Sequence, residues 1–147
     1  MRAVTTLLTL ALLAPPAISA QAVPVRFSFD GVQPAVGDAA TVIARRQQMR
    51  AWQDTVQVYL EQLAPGANLS LAPERGPANY RVSIVAMPVT LKGSDAVAMA
   101  VVIFEPAVLS NWKYLTHYVA FSTSPQEAAA VLLRQTMDAI NAASVRH

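Results

Sequence analysis

Two of the 147 residues are histidines, and His117 is the one away from the C-terminus. It sits in WKYLTHYVAF, residues 112–121, the densest aromatic run of the chain. An imidazole titrates near neutrality, so it can serve as a general base, a metal ligand or a polar contact on a binding surface. A hydrolase built on it would use Ser83 as nucleophile, with Arg81 as a third member of the set. Such a set needs a base within hydrogen-bond reach of the hydroxyl, an acid to orient the base and donors for the oxyanion. The sequence supplies no nucleophile-elbow motif and no obvious orienting acid around Ser83.

The other chemistries are as sparse. The nine acids, from Asp30 to Asp138, are scattered, and no two have a spacing that suggests a catalytic pair. A metal site would draw on His117, His147 and these acids, with no clustered ligand motif and no cysteine. The five glycines stand singly in turns, so there is no phosphate-cradling loop. The reading is therefore no catalytic residues, no metal and no cofactor. What remains is contact chemistry: Arg81, Ser83, Phe104, Lys113, His117 and Phe121 are the candidate binding residues.

Those residues need strands to position them. VPVRFSFD, Val23 to Asp30, alternates, with Val25, Phe27 and Phe29 on one side and Arg26 and Ser28 on the other. Three further strands are expected at 79–87, 96–105 and 112–123, joined by loops short enough for antiparallel hairpins. ANLSLAP adds a short strand candidate. If Glu105 faces Trp112, and Met87 faces Ala96, His117 falls in a row with Ala100 and Ser83. One face then collects Tyr80, Val82, Ile84, Ala86, Val97, Met99, Val101, Ile103, Tyr114, Thr116, Tyr118 and Ala120. The other, mixed face carries the candidate binding residues together with Val85, Met87, Val102, Leu115 and Val119. A slip of one residue would exchange the faces.

Two helices complete the pattern. Asp38 is an N-cap candidate for a helix running to about Ala64, before Pro65-Gly66. Its apolar stripe is Val42, Met49, Trp52, Val56, Tyr59, Leu60 and Leu63, and Arg50 and Asp54 have the spacing of an ion pair. SPQE opens the second helix: Ser124 caps, Pro125 takes the first helical position and Glu127 completes a capping box. Its stripe is Ala129, Leu132, Leu133, Met137 and Ile140. Together these predict an α+β fold: a two-layer sandwich with an antiparallel sheet of about four to five strands and both helices, one long and one C-terminal, on one face.

Composition sets where such a domain would work. MRAVTTLLTLALLAPPAISAQA has a positive start, a short apolar run and a small-x-small end, which is the pattern of an export signal cleaved after Ala22. The run is too short to span a bilayer, so no membrane span is expected after cleavage. Residues 23–147 form one domain without disulfides, and no cysteine is present for lipid attachment. A formal charge of +2 gives no electrostatic footprint for nucleic acid. Charged residues are 14%, against about 25% in ordinary soluble domains, so some apolar surface is expected to meet a partner.

PANYRVSIVAM, residues 77–87, followed by the capped terminal helix, resembles in element order the small export-pathway accessory domains such as the amino-terminal domain of the Tol translocation protein. The resemblance covers the last half of the chain, carries no family motif and transfers no residue role. The expectation is an exported, periplasmic or secreted, non-enzymatic binding domain of the bacterial cell envelope. Its open, partly apolar sheet face would take a protein partner or a second copy. The alternatives are a small hydrolase or ligand-binding enzyme centred on Ser83, His117 and Arg81, and a carrier holding an apolar small molecule between helices and sheet.

Overall fold

The computed structural model describes residues 21–32, 38–108 and 111–146. The expected export signal lies almost wholly outside the described residues. Strand β1 is Val23–Val32, helix α1 Ala39–Leu63, and a single 3-10 turn occupies Pro65–Ala67. Strands β2 (Leu69–Leu71), β3 (Tyr80–Leu91), β4 (Ser94–Pro106) and β5 (Trp112–Ser122) follow, and helix α2 (Pro125–Ser144) closes the fold. The five strands form one sheet in the order β2-β1-β3-β4-β5. Helix α1 packs over β1 and β3, α2 over β4 and β5, and the helices pack against each other. This is the α+β sandwich the pattern predicts, with one difference: the sheet is mixed. β1 is parallel to both β2 and β3, while β3–β4–β5 is an antiparallel meander. A connection through a 25-residue helix returns the chain to the same end of the sheet, which is what parallel neighbours require.

Alternation decides which residues enter the core. Val82, Ile84 and Ala86 on β3, and Val97, Met99, Val101 and Ile103 on β4, are all buried. Tyr80, Tyr118 and Ala120 pack against them, as do Phe27 and Phe29 of β1. From α1 come Met49, Val56 and Leu60, with Trp52 and Tyr59 half-buried alongside; Phe29 meets the Trp52 indole edge-on at a centroid distance of 6.3 Å. Leu63, expected in the stripe, is exposed, and Arg50 and Asp54 form no ion pair. On α2 the buried line is Ala128, Ala129, Leu132, Leu133, Thr136, Ala139 and Ala143. It is rotated from the expected stripe, so Met137 faces water and Thr136 goes inside. Small residues line the side of α2 that meets the sheet, and the Thr136 hydroxyl donates to the Leu132 carbonyl at 2.8 Å, so that hydroxyl is paired although buried.

Both helix starts are capped as the sequence indicates. Asp38 accepts from the Thr41 backbone N–H at 2.9 Å, and Ser124 from that of Glu127 at 3.1 Å. The reciprocal arm of the second box differs: Glu127 accepts from the backbone N–H of Thr123, at 2.8 Å, rather than from that of Ser124.

The hairpins are tighter and longer than the loops suggested. β3 and β4 turn over Lys92 and Gly93 alone, at φ 50° and 81°, the two positive angles that a two-residue turn matched to strand twist demands. The register moves by two residues, so Ser83 faces Val102 rather than Ala100. β4 and β5 are likewise displaced by two over most of their length, and His117 faces Val102. A shift of two leaves every side chain on its face. The β1 pairing ends opposite Ala86, so among the described residues Pro88 has a strand neighbour on one side only, the position at which a strand tolerates a residue with no N–H.

Candidate functional site

Both helices cover one side of the sheet, and among the described residues no element packs on the other. Among the described residues nothing covers the outer face of β3–β5. It carries Val85, Met87, Val102 and Phe104 with Val119 and Phe121, of which Val119 is 68% and Phe121 53% exposed. Val102 and Phe104 are half-buried by their neighbours in the sheet. Branched and aromatic side chains on adjacent strands shield one another in this way without any covering layer.

A bulge corrects the sequence reading at one end of this face. The β4–β5 register slips between Ile103 and Phe104: Ile103 faces Thr116, but Phe104 faces Tyr114, and Leu115 is the extra residue. Beyond a one-residue bulge every side chain changes sides. Tyr114, expected in the core, is turned outward and 52% exposed. Leu115, expected outside, packs against the core. Lys113 also leaves the proposed binding face: it pairs with Glu105 at 3.3 Å, at the end of the helix side where Glu105 and Tyr80 meet. Burial, and then the charge of Glu105, push the Tyr80 hydroxyl above its ordinary value. The same bulge brings Tyr114 Oη to 2.5 Å from His117 Nδ1, with the rings tilted at 35°. His117 is thus on the outer face, as expected, and its partner is a tyrosine that the alternation alone placed elsewhere.

Ser83 and His117 share one row across the sheet, with Val102 between them. Two strand spacings separate their backbones by about 10 Å, so the serine and imidazole do not touch. The Ser83 hydroxyl donates instead to Asp30, whose carboxylate also lies 3.8 Å from an Arg81 Nη. Asp30 is carried there by a second bulge, between Phe29 and Gly31 of β1. Gly31 then faces Val85, where a Cβ would meet the valine methyls at 3.7 and 4.0 Å. Arg81, Ser83 and Asp30 form a polar corner at the β1–β3 side of the apolar face. Sequence reasoning missed Asp30 and Arg26 as members of it. The alternation in VPVRFSFD does put Arg26 opposite the core residues, but which strand it would border is not legible locally.

A cleft of about 430 Å³ lies elsewhere, between the first half of α1 and the β3–β4 hairpin arm. Its walls include Arg45, Gln48, Trp52, Thr90 and Asp95. The space between helices and sheet, where an apolar cargo would sit, is otherwise filled by the core residues named above. Among the described residues no three histidine, cysteine, aspartate or glutamate side chains converge as metal ligands, and no helix is long and apolar enough to cross a membrane. No family model matches this chain, and no curated protein and no solved structure shows significant similarity to it.

Proposed function

We propose that this protein is a non-enzymatic binding domain of the bacterial cell envelope, exported to the periplasm or beyond, that docks a protein partner through the outer face of β3–β5. One observation carries the reading: an apolar face on an otherwise completed two-layer fold, with Val119, Phe121, Tyr114 and Met87 all turned to solvent. Contiguous apolar surface of this kind is a feature of interaction sites rather than of ordinary solvent-facing sheets. The aromatic members supply the rigid contact area on which interfaces depend. Two facts about the chain fit the setting. Cleavage after Ala22 leaves β1 whole, since the strand begins at Val23. The absence of cysteine leaves stability to the core, which both helices and all five strands share.

Site-specific photo-crosslinking tests this. A photoreactive residue at Val119 should give a discrete adduct in cells, with an envelope protein or with a second copy, and one at Val58, exposed on α1, should not. Light scattering identifies the self-association case. If Val119 yields no adduct and the protein is monomeric at every concentration, the interface reading fails.

A further inference from the structure

The polar corner holds two cations and, among the described residues, a single acid beside them. Arg26 of β1 and Arg81 of β3 are paired residues of adjacent parallel strands. Val25 is buried and Phe27 packs on the core, so Arg26 shares the outer face with Arg81. Two like charges opposite one another in a sheet destabilise it unless something lies between them. Each guanidinium carries five N–H donors. Among the described residues neither makes a hydrogen bond, and their one ionic contact is the 3.8 Å approach of Arg81 to Asp30. The Nε atoms of both arginines are sealed from solvent and unpaired. A buried donor without an acceptor is costly, and a recurrent reason for finding one is an ion that belongs there.

We propose that Arg26 and Arg81 form a carboxylate-binding site on the outer sheet face. Charge decides the class of anion. Two guanidiniums and Asp30 leave the corner with one uncompensated positive charge, which a carboxylate neutralises. A phosphate dianion would exceed that charge and would face Asp30 across the site. The Asp30 carboxylate is itself held in place by the Ser83 hydroxyl, which makes it a fixed wall and not a lid. Arginines paired across adjacent strands on one face can turn two planar guanidiniums toward the two oxygens of a carboxylate. Phe104 borders Arg81 in the same row, so the site continues into the apolar patch. This deepens the binding reading above and rests on it only for the source of the carboxylate, a free organic acid or an acidic side chain of the docked partner.

NMR of the arginine Nε–Hε resonances reads the site directly. Titration of the protein with acetate should shift the Arg26 and Arg81 signals saturably, phosphate should shift them less, and chloride should not saturate. R26Q should weaken acetate binding about tenfold or more, the loss expected for one charge-assisted hydrogen bond. R26K, which keeps the charge but loses the planar fork, should weaken it too, and D30N should strengthen it. Saturable acetate shifts matched by a short blocked Phe-Asp-Phe peptide point to a free acid. Tighter peptide binding that also moves Phe104 points to a protein carboxylate. If acetate produces only the chloride response, or if R26Q and R26K bind acetate as the parent does, the site does not exist. The crosslinking result at Val119 stands apart from that outcome.

Discussion

Val101 and Val102 are adjacent residues of β4, identical in chemistry and opposite in facing, so they measure what covers each side of the sheet. Val101 is fully buried beneath the helices, opposite Ile84 and Tyr118. Val101→Ala removes two carbons from a sealed site. At about 0.8 kcal/mol per buried methylene the transfer loss is about 1.6 kcal/mol. The unfilled space raises it to about 2–3 kcal/mol, because a strand held on both sides cannot collapse into the gap. Val102 lies between Ser83 and His117 on the outer face and is half-buried. Val102→Ala gives up a fraction of the same transfer and leaves no enclosed cavity, so it should cost less than about 1 kcal/mol. Urea unfolding followed by circular dichroism, with unchanged slope, reads both values. The comparison belongs at concentrations low enough for a monomer. Equal losses from the two substitutions would refute the assignment of an open outer face, because only a second covering layer could bury Val102 to the depth of Val101. A loss at Val102 that appears only at high concentration would instead report self-association.

The cap of α2 makes a further prediction: Ser124→Ala should cost about 1 kcal/mol by leaving the Glu127 N–H without its acceptor. The caps also set an acid dependence. The Thr123 backbone N–H, helped by the Thr123 and Ser122 hydroxyls, holds the Glu127 carboxyl below its ordinary value, and the Thr41 backbone N–H and hydroxyl do the same for Asp38. Carboxyls lowered by folding stabilise fully above their unfolded values, about 4.5 and 3.8, and lose that contribution as pH falls through the folded ones. Unfolding midpoints across that range should therefore fall less steeply for Glu127→Gln than for the parent, which starts higher. At the hairpin tip, Gly93→Ala should lower the thermal midpoint by the equivalent of about 1 kcal/mol, a purely conformational effect, since φ is 81° and no atom lies within reach of the new Cβ.

Much of the arrangement can be read from local pattern. The core face of β3 and β4 follows from period-two alternation, and it survives two register errors because each is an even number of residues. Ser124, Pro125 and Glu127 mark the start of α2 because capping chemistry acts over one turn. Met137 and Leu63 were misplaced for the opposite reason. Periodicity gives a stripe its spacing, but the partner surface selects which edge of the stripe is buried. The candidate site was legible in the same measure. Arg81, Ser83, Phe104, His117 and Phe121 were assigned to the outer face, where they lie. Lys113 was assigned there too but lies on the helix side, since one inserted residue at Leu115 reverses the parity that the assignment used.

What the sequence determined alone is the set of elements, their caps and, away from the β5 bulge, the side each strand presents to the helices, all properties of neighbours within a few residues. Tertiary structure decided what pairs with what. β1 enters between β2 and β3, in parallel, through hydrogen bonds to residues more than forty positions away. That insertion, and two bulges that cost the ladder one residue each, put Arg26 beside Arg81, Asp30 beside Ser83 and Tyr114 beside His117. No local signal encodes such neighbours, because strand pairing is settled by the whole sheet closing under its helices, and the side chains that meet on its far face are the consequence.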